Sequence, residues 1–313
     1  MRARPQVLSF AALVTFLASA VPVVAQDAVL LRYHFQEGQS FRMVTTTESE
    51  SSQTFQGMDQ TTKQTMVQGT LMEVVSVDAD GAVRLRYTTE SVRVSMETPL
   101  GLLEYDSSQP DVAVPQALRP FALTLGAVYL MTMAPDGSLR DVTGGDEMLE
   151  RMLDGMSFPP GMTKESMRED MRAQFGDDAM ATSMAQNFSA FPDSPVAVGD
   201  SWTRTARMPG IPLVMETVST VTDRARGTVT LFTESTLSSD SESVMAMGGM
   251  EQRYEVSGTS SGTTEIEEST GMHLRMQSEM TIAGTISISA GGRNMTIPMS
   301  SRTVNTVERI QGG

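Results

Sequence analysis

The sequence predicts a mainly β fold, a β-rich α+β protein. Its expected form is a curved antiparallel sheet or half-barrel made of two related β segments, with a central helical insert. Three observations carry this expectation. Thr, Val and Ser alternate with apolar residues over most of the chain, the period-two signature of half-buried strands. Glycine turns punctuate those runs. Residues 144–190 instead repeat their apolar side chains at helical spacing. With 313 residues, 40% hydrophobic and 19% charged, the chain can bury a sizeable core and is too apolar for a disordered one.

In chain order, Arg2 and Arg4 precede an apolar run from Val7 to Ala20, and Pro22 breaks that run. Val23-Val24-Ala25 then supplies small residues at positions −3 and −1 of a cleavage site, so residues 1–25 read as a secretory signal peptide. The run is short for the roughly 20 residues that a bilayer span requires. The expectation is an exported mature chain, periplasmic or extracellular, without a transmembrane segment. Removing residues 1–25 takes the formal charge from −15 to −17. That charge excludes nucleic acid as an electrostatic partner. The absence of cysteine excludes disulfides and thiolate metal sites.

The mature chain divides into a first β segment (26–143), the helical insert (144–190) and a second β segment (191–313), together one pseudo-symmetric unit. Asp80-Gly81 and Asp136-Gly137 are strong hairpin turns, and Arg226-Gly227, Thr270-Gly271 and Gly291-Gly292 are weaker ones. Gly38-Gln39-Ser40-Phe41 is answered by Gly199-Asp200-Ser201-Trp202, and Gly81 to Leu85 by Gly227 to Leu231, which suggests duplication. The clearest strand runs from Met272 to Ile288. Met276, Met280 and Ile282 are expected buried on one face, with His273 and Arg275 on the wet face and Gly284 as a bend. In the insert, Met148, Leu149, Met152, Leu153 and Met156, then Met167, Met171 and Phe175, then Met180, Met184 and Phe188, mark two or three short amphipathic helices. Thr143 ahead of Asp146 suggests an N-cap, Gly176 a helix end, and Pro159-Pro160-Gly161 a break. An outer-membrane barrel needs aromatic girdles, and here aromatics make up 5% of the chain.

No catalytic residue emerges, and a non-enzymatic role without a cofactor is expected. Gly258-Thr259-Ser260-Ser261-Gly262 matches the nucleophile-elbow pattern, but its polar flanks and the lack of a following helix read as a strand. Asp78-x-Asp80-Gly81 lacks the distal acid of a calcium loop. The 26 methionines are the anomaly. Met245, Met247 and Met250, spaced by flexible glycines, are a candidate copper(I) thioether site. Met272 and Met276 lie about 13 Å apart along a strand and cannot share an ion. Elsewhere methionine replaces leucine as core filler, or lines a pliable cavity.

The signal-like start, Leu31-Arg32-Tyr33 entering a first strand, the paired Gly-x-Ser-Phe/Trp motifs and Met133-Ala134-Pro135-Asp136-Gly137 together resemble an uncharacterised family of exported bacterial β-rich proteins. The resemblance implies this architecture and no activity. At the level of fold, a curved sheet with helices against it is similar to the periplasmic lipoprotein-carrier half-barrels. The function expected is binding of a lipid or apolar small molecule in a cavity lined by Met148, Met152, Met156, Met167, Met171, Phe175, Met180, Met184 and Phe188. The alternative is a structural role or an interaction with envelope proteins, without ligand.

Overall fold

The computed structural model describes residues 28–55, 57–155, 163–185, 188, 190–207, 213–239, 244–247, 250–290 and 293–310. The proposed signal segment, Met156, Pro159-Pro160-Gly161 and the Gly291-Gly292 turn lie outside them. Among the described residues, 13 strands form one antiparallel sheet that is curved and not closed into a barrel. They are β1 (Ser40–Phe55), β2 (Met58–Val77), β3 (Val83–Thr98), β4 (Gly101–Asp106), β5 (Val128–Met133) and β6 (Leu139–Thr143) in the first segment. The second segment holds β7 (Ser201–Arg207), β8 (Leu213–Ala225), β9 (Thr228–Ser239), β10 (Val244–Met247), β11 (Met250–Glu267), β12 (His273–Ala290) and β13 (Arg293–Ile310). Between them lie α2 (Gly145–Asp154), α3 (Lys164–Phe175) and α4 (Asp177–Ala185), the three expected helices. A short helix that sequence periodicity missed, α1 (Arg119–Ala122), falls inside the first segment.

The strand order is β6-β5-β3-β2-β1-β13-β12-β11-β9-β8-β7, with β4 paired to β3 and β10 to β11. Read from β7, the sheet is a meander that runs to β13, passes to β1 and ends at β6. The helical insert joins its two edges, β6 and β7. We call the end that carries the 78–82, 134–138 and 226–227 turns the base, and the end with the β1–β2, β3–β4 and β12–β13 turns the rim. Turn chemistry explains the base. Arg226 and Gly227 both take positive φ (53° and 78°), the requirement of a type I′ hairpin, so this turn is stronger than its sequence suggested.

One large core fills the base. Met72, Val83, Leu85, Met131, Met133 and Ile266 from the sheet join Met148, Met152, Met184 and Phe188 from the helical insert in it. Leu31, Tyr33 and Phe35 belong to the same core, but they are not in a strand: the first strand begins at Ser40, and residues 30–36 cross the base as an extended strap. Tyr33 N donates to Pro135 O (2.8 Å), His34 N donates to Thr270 O (3.0 Å), and Val29 bridges Val196. A smaller cluster of Val92, Val94 and Leu118 lies under the segment that contains α1.

Two local expectations fail for identifiable reasons. Thr143 does not cap α2; its N-cap is Gly144, and the Asp177 carboxylate accepts from Gly145 N (2.8 Å) and Asp146 N (3.2 Å) instead. The cap therefore comes from a residue 31 or 32 positions away, invisible to a local pattern. His273 is also not on the wet face; it is 5% exposed. A bulge sets Glu265 opposite Arg275 but Ile266 opposite His273, so Leu274 is the extra residue that reverses the alternation. Arg275 does face water, while Met280 and Ile282 share the inner face with Met276 and are half-buried rather than buried.

The curvature has a visible cause. Gly284, the expected bend, sits at φ 154°, and a Cβ there would lie 2.2 Å from Glu255 O; at Gly258 it would lie 2.3 Å from Thr281 O. Both face the hollow of the sheet, where adjacent backbones close up as the strands coil. Gly284→Ala is expected to destabilise the fold by about 1–3 kcal/mol, read as a lower urea midpoint. The midpoint should remain as in the parent if the bend does not depend on this glycine.

Burial pushes the His273 imidazole down to about 4, with Arg309 acting in the same direction. In the unfolded chain it titrates near 6.5. Between those values the unfolded chain binds the extra proton, so the stabilisation is complete above about pH 6.5 and is lost as pH falls toward 4. The shift corresponds to roughly 3 kcal/mol. A His273→Gln variant should flatten the pH dependence of the urea midpoint between about pH 6.5 and 4.5. Glu267 and Glu268, whose arginine partners hold them below the usual carboxylate range, lose their contribution at still lower pH.

Candidate functional site: the concave face between core and rim

The inner face of the sheet changes character along its strands. Beyond the core, register aligns Thr47, Asn305, Ser278, Gly262, Thr233 and Ser219 in one row across β1, β13, β12, β11, β9 and β8. Two residues toward the rim, a second row holds Ser49, Thr303, Met280, Ser260, Ser235 and Thr217. All twelve are half-buried. Within this hydroxyl belt the Thr47 hydroxyl donates to Asn305 Oδ1 (2.7 Å), and the Thr217 and Ser235 hydroxyls lie 2.8 Å apart. Serine and threonine here are small, and each hydroxyl can both donate and accept.

Toward the rim the face becomes apolar. Met215, Leu237 and Ile282 come first, then Leu213, Val256 and Met299, then Tyr254, Ile286 and Ile297, then Ile288 and Met295. Leu213, Leu237 and Val256 are buried, Met295 is exposed and the others are half-buried. None of these belongs to either of the two packed clusters.

On the six strands of the belt, charge lies on the other face. Glu48, Glu50, Glu216, Glu234, Glu255, Glu279 and Arg302 alternate with the inward residues on the same strands, and Arg302 forms a two-armed pair with Glu279 (2.7 and 2.9 Å). Among the described inward positions of β1, β8, β9, β11, β12 and β13 from Thr47 to Met295, no side chain is charged. One cation adjoins the belt. Arg204 on β7 lies opposite Thr217, two residues beyond Trp202, which opposes Ser219 and packs on the core. Trp202 is held in place by its indole Nε1, which donates to Ala190 O (3.0 Å).

The methionines singled out by helical spacing fall differently. Met148, Met152, Met184 and Phe188 are buried in the main core, and Met171, Phe175 and Met180 are partly buried against it. Met167 is half-buried on α3, and Met156 lies outside the described residues. The structure brings the first seven together at the base. Met245 and Met247 are on β10, and Met247 opposes Met250 of β11 in the backbone register; their side chains lie outside the described residues. The Gly258–Gly262 stretch is interior to β11, with no elbow and no helix after it.

Two open grooves are present elsewhere. One, of about 490 Å³, lies between α2 and α3 and is lined by Asp146, Glu150, Arg168 and Arg172. These four side chains are already paired: Arg172 meets Asp146, and Arg168 and Lys164 hydrogen-bond the Glu150 carboxylate and hold it down to about 2. The other, of about 660 Å³, is bordered largely by outer-face side chains, including Glu50, Thr259, Thr281 and Arg302. Neither groove is lined by a methionine.

The belt and the apolar rim were missed because no motif marks them. Their signal is present in β13, where Met295, Ile297 and Met299 continue on one face as Ser301, Thr303 and Asn305. It acquires meaning only when register stacks the same transition on the neighbouring strands.

No helix among the described residues is long and apolar enough to cross a membrane. Similar solved structures include lipovitellin, at 10% identity and a TM-score of 0.46 over 89% of this chain, which spans 26% of the lipovitellin chain. The translocator domain of the autotransporter NalP from Neisseria meningitidis matches at 7% identity and a TM-score of 0.22, with 88% and 90% of the two chains covered. OccK5 of Pseudomonas aeruginosa matches at 5% identity and a TM-score of 0.20, with 87% and 99% covered. Likeness this weak carries no functional argument. No curated protein matches the chain. A family model does match residues 80–273, more than half of the sequence and reaching from the β2–β3 turn to the buried His273, and on that match the chain belongs to the family of unknown function DUF6263.

Proposed function

We propose that this is a non-enzymatic protein of the bacterial cell envelope that holds a lipid or other apolar molecule in the hollow of its sheet. One observation carries the reading: a half-buried apolar surface on the concave face, continuous from Ile282 to Ile297 and outside both packed clusters. Large apolar side chains in that state retain surface that a hydrocarbon chain would remove from water, at about 25 cal/mol per Å². In this reading the rim rows form the wall and the buried methionines Met148, Met152 and Met184 form the floor. Unbranched methionines suit a floor that adjusts to its ligand. The two β segments enter as copies of one unit, supported by the Phe41 and Trp202 motifs at corresponding strand starts and by the continuous meander. Export rests on the signal-like residues 1–25.

The test is titration of the purified mature chain with the neutral apolar dye N-phenyl-1-naphthylamine, with circular dichroism confirming that the fold persists. Saturable binding is expected. Ile282→Glu, which sets a carboxylate in the hollow, should weaken it by about tenfold or more. Ala283→Glu, one residue along and facing outward, should leave it within about twofold. If the dye does not saturate, or both variants weaken it equally, the hollow is not a binding site and the alternative of a surface that docks envelope proteins takes its place.

A further inference from the structure

We infer that Arg204 anchors an acidic head group, so that the ligand of the hollow is a single-chain amphiphile ending in a carboxylate. This rests on the binding reading above and adds its chemical class. On the outer face Arg42, Arg86, Arg275 and Arg302 face Glu90, Glu73, Glu308 and Glu279, while the exposed Arg84 and Arg253 form no ion pair among the described residues, so position rather than lack of a partner sets Arg204 apart. Arg204, on the inner face at the β7 edge, has no ion pair or side-chain hydrogen bond among the described residues and is exposed. It is level with the hydroxyl belt, opposite Thr217 and adjoining the Thr217–Ser235 pair.

No carboxylate occupies the described inward positions beyond the core on the six strands that form the belt, although the chain carries 38 acidic residues. Among these described positions, Arg204 therefore adjoins many hydroxyls and no carboxylate that competes for it. A guanidinium presents a rigid fork that matches a carboxylate in two parallel hydrogen bonds and stays charged at any working pH. Serine and threonine hydroxyls beside it can donate to the same head. The apolar rows begin beside Arg204 at Met215 and Leu237 and reach Ile286 on β12, four strands across at about 4.8 Å each and three rows rimward at about 6.6 Å each, a diagonal of about 28 Å that accommodates an extended acyl chain. A cationic head meets Arg204 and finds no counter-charge. A neutral head finds the hydroxyls and leaves the guanidinium unused.

The test compares palmitate, monopalmitoylglycerol and hexadecylamine as competitors of N-phenyl-1-naphthylamine on the mature chain, each below its aggregation limit. Palmitate is expected to bind about tenfold more tightly than the glyceride, and the amine most weakly. Arg204→Gln should abolish the preference by weakening palmitate alone, with glyceride binding moved less than about twofold, and Arg204→Lys should restore part of it. Equal binding of palmitate and glyceride by the parent, or equal weakening of both in Arg204→Gln, overturns the assignment of Arg204 and leaves the hollow as a general apolar site. Failure of all three to compete, in a protein that does not saturate with the dye, overturns the hollow itself.

Discussion

The rest of the fold depends on the strap at the base. A wide sheet with one greasy face cannot bury that face on its own, and the strap gives it something to close upon. Leu31 and Tyr33 are each 2% exposed, and the Tyr33 ring packs against Phe35, Phe188 and Phe191 with centroids 5.8, 6.0 and 5.0 Å away. Its backbone meanwhile ties the β5–β6 turn to the β11–β12 turn, which belong to opposite halves of the sheet. Arg32 adds a hydrogen bond to Pro192 O (2.6 Å), at the point where the chain returns from the helices. One short segment thus fixes the two halves and the insert relative to one another.

Given that anchor, the division of labour along each strand follows from side-chain size. The base takes Met, Leu and Phe and buries them in one cluster. Ser, Thr and Gly take over where the sheet coils most tightly, because a larger inward side chain at Gly258 or Gly284 would strike the neighbouring backbone. The polarity of the belt accompanies the small size that the bend demands.

Much of this was legible in the sequence. The Asp-Gly turns, the alternation of most of β12, the bend at Gly284, the amphipathic helices α2 and α3 and the helix end at Gly176 are local properties, and local chemistry determines them. Three features were not legible. The strap looked like an entering strand because Leu31, Tyr33 and Phe35 alternate, yet their backbone partners are turns rather than a strand. His273 turns inward rather than to the wet face because a single extra residue, Leu274, reverses the alternation at the start of β12. The hydroxyl belt is a property of register across six strands, whereas serine and threonine on any one strand mean only strand.

The meander order has a consequence for how the chain reaches this state. Along nearly the whole sheet, neighbours in space are near neighbours in sequence, and such contacts form quickly. The exception is the central β1–β13 seam, where Thr47 meets Asn305 from 258 positions away. Each half can assemble as its own sheet and wait with a complete, unpaired strand at its margin. The entropy of closing so long a loop rises only slowly with length, so the seam forms readily within one molecule when it is dilute. At high concentration the same unpaired margin can instead meet the complementary margin of a second chain.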